Sequence, residues 1–564
     1  MRNLLKKSWV FSFIANSSLY VLFSMHLLAT TVANKDLRTG SYVLSMDEKI
    51  IFDGTAKILH PSSFIGFLQN VIDGGDQRYG RILWNLAALF SFLPEQVFGE
   101  PGQIVATRIL MSVMVALGLY ILISTLIQNR LLRIVGLLAG LTAPFSLYYS
   151  SMPKPEPILI LSLALFVRFH KKYESKKSFY WVFLGIFLGA KISALPLFIS
   201  ILLFVIYDSN KKEMTKRFIA ILPWILVGFG ISVPSLSILC LIVILSITLF
   251  KRYSSDKYAI LMVTILLIIS IIFFRQNIYR YLSWTVFGSA HGLDDSKINA
   301  LSWIRFISET WFNSNSLYVL LFILPILVYV YLVNPHLKNN IFESRIINGL
   351  FCGSLFTIFL IIIDVKRLWG MYLWIPYLVL MIINLVILEK IFKTKRMPVH
   401  FLLVIWIVAF ALQSTSRIEI YKADQIILAS RTQNESFKIQ EKQYQQVKNN
   451  LMEISKKSQK KLIVKYDPIF FQLPSTSQYE IQLFWGPYLE WESNADVLIF
   501  SKYHTDSMFA PTKDRSDFNT YVVEQRGIER YFIEKGGSCK MTTCYFKYSS
   551  LPDNGSIWIS KNLT

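Results

Sequence analysis

Charge is scarce in this chain. Only 17% of its 564 residues are Asp, Glu, Lys or Arg, against about 25% in an ordinary soluble domain. Cysteine is rarer still, with four in the whole sequence, which excludes a scaffold held together by disulfides. Internal repeats and low-complexity stretches are missing, which weakens transporter readings built on inverted repeats. Acidic residues are outnumbered, 36 against 58 Lys and Arg, leaving a formal charge of +22. That surplus lies mainly in short loops between apolar runs, where it sets membrane topology rather than gripping nucleic acid.

What is present is hydrophobic. Apolar residues make up 53% of the chain and aromatics 15%, and the mean hydropathy is +0.44. Apolar runs near the roughly 17 to 25 residues that cross a bilayer recur through the first three quarters. The expected fold class is therefore a polytopic α-helical membrane protein. The opening stretch "MRNLLKKSWVFSFIANSSLYVLFSMHLLATTVA" exceeds the apolar core of about 7–15 residues found in a signal peptide and reads as a retained first span.

Basic loops fall at Lys6–Lys7, Asn129–Arg133, and in segments starting at Arg168, Asn210, Lys251, Asn334 and Glu389. Placing all of them inside gives about thirteen spans, an inside N-terminus and an outside C-terminus. The Phe179–Tyr207 stretch has basic flanks at both ends and is too long for one span, so it is expected to double back at "GAKISALP". Residues 1–412 then form the membrane part, with 31–103 as a first outer loop. In that loop "SSFIGFLQNVI" and "YGRILWNLAALFSFL" read as helices lying on the membrane. Residues 413–564 form a separate α/β domain, with a helix in "ESFKIQEKQYQQVKNNLMEISKKS" and strands in "KLIVKYD" and "DVLIFSK". Cys240 and Cys352 lie in apolar runs. Cys539 and Cys544 are either a disulfide across a tight turn or two free thiols; the first requires an oxidising compartment.

The acidic pair Asp47 and Glu48 opens the outer loop, in "SMDEKIIF". Ser45 and Glu48 have capping-box spacing, and Asp47 would sit in a first helical turn where the dipole favours an anion. That reading needs no function. The other is chemical, and it comes from layout. An acidic pair just after the first span, opening a long outer loop, resembles the GT-C glycosyltransferases, above all the protein O-mannosyltransferases and the lipid A aminoarabinose transferases. "MDEKIIFDG" is similar to that class's Asp-Glu motif. "GDQRYGRILW" stands where a double-proline, lysine-bearing segment usually lies; the prolines are missing, and Arg78 and Arg81 supply the charge. "SMPKPEPILI" is similar to a second outer loop carrying another acid, here Glu156. "LGAKISALPL" resembles a lysine-containing turn, and "DVKRLWGMYLWIPYL" a late arginine followed by aromatics.

The resemblance implies an inverting transferase using a polyprenyl-phosphate-linked sugar, working on the non-cytoplasmic face of a multi-pass membrane protein. It casts Asp47 as the base, with Glu48 and Glu156 as supporting carboxylates. Lys154, Lys191, Arg275, Arg280 and Arg367 would bind the donor phosphate, with Arg78, Arg81 and His291 as further substrate contacts. Cations at span ends also snorkel to headgroups without any catalytic role. Some members of the class take a divalent cation; His291 with Asp294 or Asp295 could contribute, but the sequence fixes no ligand set. The acceptor would be a lipid, glycan or protein. The composition, rich in lysine and isoleucine, points to a bacterial inner membrane. An envelope lipid or glycan transporter or flippase is the competing class, although spans so poor in ionisable groups argue against translocation. A polysaccharide polymerase or ligase is a third reading.

Overall fold

The computed structural model describes residues 46–73, 80–142, 153–173, 178–207, 210–252, 257–286, 300–308, 344–364, 371–395, 435–466, 476–483, 495–500, 539–540, 543–551, 556–560 and 563. They are mostly helical, with one small sheet. Among them, Gly102–Leu126, Glu213–Ser232 and Arg345–Ile363 are long and apolar enough to cross a membrane. Shorter apolar helices accompany them, including Trp181–Ala190 and Tyr372–Ile387.

The chain divides into two compact units. One holds the described residues within 71–83 and 108–423, the other those within 33–70, 84–107 and 424–564. The helices in chain order are α1 (Met46–Leu59), α2 (Phe64–Ile72), α3 (Ile82–Phe98), α4 (Glu100–Leu126), α5 (Arg130–Thr142), α6 (Glu156–Tyr173), α7 (Trp181–Ala190) and α8 (Leu195–Ile206). They continue as α9 (Lys211–Ser232), α10 (Ser237–Arg252), α11 (Lys257–Phe273), α12 (Arg275–Val286), α13 (Ala300–Ser308), α14 (Arg345–Asp364), α15 (Met371–Lys395) and α16 (Glu435–Ser458).

In the first unit, side-by-side contacts fix helix directions. α7 and α9 touch backbone to backbone: a Cβ on Gly185 would meet the Ile225 carbonyl, and one on Gly228 would meet the Val182 carbonyl. Small residues permit that approach. Pairing 182 with 228 and 189 with 232 makes the two helices parallel. Since α8 must return from the end of α7 to the start of α9, the chain reverses at Lys191, where the basic flanks called for a turn. Gly349 lies against Ile201 and Gly353 against Leu197, so α14 runs antiparallel to α8, and Arg345 Nη1 donates to the Tyr207 carbonyl at 2.7 Å. The helices thus share two ends. One gathers residues near 128, 171, 207 and 389; the other gathers Gly80, Glu156, Lys191, Ser232 and Tyr372.

The second unit is built on a six-stranded mixed sheet in the order β2-β1-β3-β6-β5-β4. Its strands are β1 (Leu462–Tyr466), β2 (Tyr479–Leu483), β3 (Val497–Phe500), β4 (Cys539–Lys540), β5 (Thr543–Ser550) and β6 (Ser556–Ser560). β1 is parallel to β2 and β3, while β6, β5 and β4 are antiparallel additions. α16 lays Val447, Leu451 and Ile454 on Leu462, Val464, Val497, Ile557 and Ile559. Phe52 of α1 and Ile104 of α4 are buried in the same core, where Gln103 Nε2 donates to the Phe52 carbonyl at 3.3 Å. Lys57 meets Glu480 of β2 at 3.1 Å. Residues of α1, α4 and the C-terminal segment therefore form one core.

Two substitutions test these packings by thermal unfolding in detergent. Gly228→Val forces α7 and α9 apart and should cost about 1–3 kcal/mol or more. Phe52→Ala should cost about 3–5 kcal/mol, with the loss registered by α16 and the sheet although Phe52 lies almost four hundred residues earlier. An unchanged transition for the α16–sheet segment would place Phe52 outside that core.

Candidate functional site

α6 begins at a proline-rich corner, Pro153-Lys154-Pro155-Glu156-Pro157. Proline is tolerated at a helix start because the first turn has no partner for its missing N–H. This pins Glu156 in the first turn, where the helix dipole favours a carboxylate. At the break after α7, Lys191 is extended (φ −158°, ψ 121°), followed by the 3₁₀ turn Ile192–Ala194. The break frees the lysine side chain from the helical register. Lys191 Nζ donates to Glu156 Oε1 at 2.5 Å. Both side chains are buried, Glu156 at 2% and Lys191 at 7% exposed. The ammonium also lies 5.3 Å from the centre of the Tyr372 ring, within cation–π range.

Further groups frame the pair. Gly80 N–H donates to the carbonyl of Ala190 at 3.1 Å, which brings the chain bearing buried Arg81 to the residue before Lys191. The Tyr281 hydroxyl lies 3.1 Å from both the Leu188 and Gly189 carbonyls, to which it can donate. Lys154 is buried two residues ahead of Glu156. Tyr372 is held beneath by Trp303, Ile361 and Leu373.

Glu156 uses only one oxygen. Its Oε2 is buried without a hydrogen-bond partner among the described residues. A second buried carboxylate, Glu389 at the opposite end of the unit, behaves differently. Gln128 N–H donates to its two oxygens at 3.0 Å each, and Asn129 N–H donates at 2.6 Å. Lys171 Nζ donates to the Thr125 carbonyl at 2.7 Å and Arg133 Nε to that of Ile127 at 2.6 Å, so this end is latched. The 18 residues of α6, at about 1.5 Å each, separate the two ends. A buried acceptor left unmade costs free energy; of the two carboxylates, Glu156 is the one that retains one. Its chemistry suits a ligand presenting a hydroxyl to Oε2 and an anion to the neighbouring cations.

The other residues expected from the sequence fall as follows. Asp47 and Glu48 occupy the first turn of α1, which starts directly after Ser45, and their side chains lie outside the described residues, as do Arg78, His291 and Arg367. Arg81, Lys154, Glu156 and Lys191 come to one end of the first unit. Arg275 is exposed at the start of α12; Arg280 is on the same helix with its side chain outside the described set. Tyr281 and Tyr372 were not singled out from the sequence, and neither was buried Arg108, an arginine within the apolar α4. That interruption of an apolar run was the available signal. No group of three or more His, Cys, Asp or Glu able to hold a metal occurs among the described residues. No family model and no curated protein matches the chain.

Removing one partner of the pair tests its weight. Glu156→Gln removes the carboxylate that meets the buried Lys191 ammonium and should cost about 3–5 kcal/mol, while Glu156→Gln with Lys191→Met should recover much of it. Thermal unfolding in nanodiscs reads both. Equal losses in the single and double variants would mean that the two side chains are not coupled.

Proposed function

We propose that this protein is an inverting glycosyltransferase that moves a sugar from a polyprenyl-phosphate donor to an acceptor hydroxyl at the non-cytoplasmic face of a membrane. It is proposed as a polytopic protein of about thirteen spans, with an outer C-terminal domain. The observation that supports the reading best is the buried Glu156–Lys191 pair with Glu156 Oε2 unused.

A lipid-phosphate donor already carries its leaving group, so a general acid has little to add. What the reaction needs is a carboxylate to take the acceptor's proton and cations to hold the phosphate as charge grows on it. Asp47 is the base. Lys154, Lys191 and Arg367 hold the phosphate, with Arg275 and Arg280 at the donor's approach. Glu156 positions Lys191 through Oε1 and accepts a substrate hydroxyl at Oε2. One base acting opposite the leaving group inverts the sugar carbon.

Asp47→Asn in isolated membranes should lower transfer from a polyprenyl-phosphate sugar by about 10²–10⁴-fold, the usual weight of a general base. Turnover near wild type removes the base assignment. Sidedness has its own test. The β4–β5 register sets Cys539 opposite Cys544, with Cα atoms about 4.5–5.5 Å apart in such pairs, inside the range a disulfide bridges. On the oxidising side, peptide mapping without reductant should recover the two cysteines linked; free thiols at both count against an outer C-terminal domain.

A further inference from the structure

α2 and α3 are amphipathic the wrong way round for water. On α2, Phe64, Ile65 and Leu68 are 73, 67 and 41% exposed. At about 100° per residue they share one stripe, whereas Asn70, on the opposite side, donates to the Lys57 carbonyl at 2.7 Å and ties the helix to α1. α3 buries Trp84, Ala87, Ala88 and Ser91 along one side. Its other side presents Leu89, Leu93 and Val97 at 77, 70 and 70% exposed. The two helices are joined through His60, in the turn before α2, whose Nε2 lies 2.8 Å from Glu95 Oε1 of α3.

Charge is the second observation. "FIGFLQNVI" contains no ionisable residue, and Glu95, already engaged by His60, is the one such residue in α3. Continuity is the third. α3 passes through one residue, Gly99 at φ 66°, into α4, and Gly102–Leu126 of α4 is a candidate span. A left-handed residue at that corner favours glycine and fixes a tight turn. The apolar side of α3 therefore directly precedes a candidate span in the chain.

We infer that the exposed faces of α2 and α3 are seated in the outermost acyl layer of a lipid monolayer, held by apolar contact rather than by attraction to anionic headgroups. Interfacial helices usually combine apolar burial with basic residues that seek anionic lipid; here only the first term is present. The occupant is lipid of any headgroup charge, and the seating is insensitive to ionic strength. This does not rest on the proposed transferase activity and is read without it.

The test uses the full chain reconstituted in vesicles of phosphatidylcholine alone, or with one third phosphatidylglycerol, each doped with a phosphatidylcholine bearing a diazirine high on one acyl chain. After photolysis, peptides covering Phe64–Ile72 and Leu89–Phe98 should carry lipid adducts at yields comparable to those from Gly102–Leu126. The yields should be equal in both lipid mixtures and unchanged in high salt. A chain carrying Phe64→Asp and Leu93→Asp should lose the adducts on α2 and α3 and keep those on α4. Adducts confined to the span peptide, with α2 and α3 oxidised by aqueous hydroxyl radicals, would overturn the inference. Adducts that appear only with phosphatidylglycerol would overturn its charge-independent form. Because the wild-type chain supplies the primary reading, failure of the double variant to fold leaves the test intact.

Discussion

A carboxylate and an ammonium buried among apolar helices must satisfy each other or keep those helices from assembling. Desolvating either ion alone costs several kcal/mol, and only close geometry returns it. The Glu156–Lys191 contact meets that condition, and much of the first unit is arranged around it. The proline corner fixes where α6 begins. The extended backbone at Lys191 interrupts an apolar run that would otherwise continue as helix. Gly80 reaches the neighbouring carbonyl of Ala190, and the ring of Tyr372 covers the ammonium. Hydrophobic packing alone requires none of these.

Glu389 supplies the control within the same molecule. It is buried as Glu156 is, but it closes a helix start by accepting backbone N–H groups. That is a capping role, and it accounts for both oxygens without any ligand. Glu156 sits in the first turn of its own helix and turns one oxygen to lysine while leaving the other unused. Residue type, burial and membrane-protein context are shared; the difference is unspent hydrogen-bonding capacity. That capacity separates Glu156, open to a further donor, from the latched Glu389.

Local pattern carried much of the architecture. The polar helix at 435–458 and the strands at 462–466 and 497–500 lie where alternation and composition placed them. The turn at Lys191 followed from two basic flanks on an overlong apolar stretch. Four further strands escaped notice, and pairing between β3 and β6 joins residues about sixty apart. Phe52 and Ile104 in the core of the C-terminal sheet were not legible at all. Their apolar character is equally at home against lipid, and only long-range packing distinguishes the two. Glu156 and Lys191 were both singled out, one as an acid and one as a phosphate contact. Their pairing spans 35 residues, a separation about which sequence periodicity says nothing.

That pairing changes what the lysine can do for an anion. Lys191 has three donor hydrogens, and Glu156 occupies one. Cations attract the donor's monoanionic phosphodiester as well as the charge that grows on the departing phosphate, and attraction shared by the ground state and the transition state does not accelerate the chemical step. A carboxylate held on the same ammonium offsets part of that attraction. Under the proposed transfer, net attraction then grows as the departing phosphate gains charge and its hydrogen bonds become charge-assisted. The sugar phosphodiester, a monoanion, is held less firmly than the departing phosphate, and the free lipid phosphate must compete with Glu156 to remain. Lysine suits this better than arginine, because its compact ammonium can be shared between a carboxylate, an aromatic face and a third partner without committing to a planar fork.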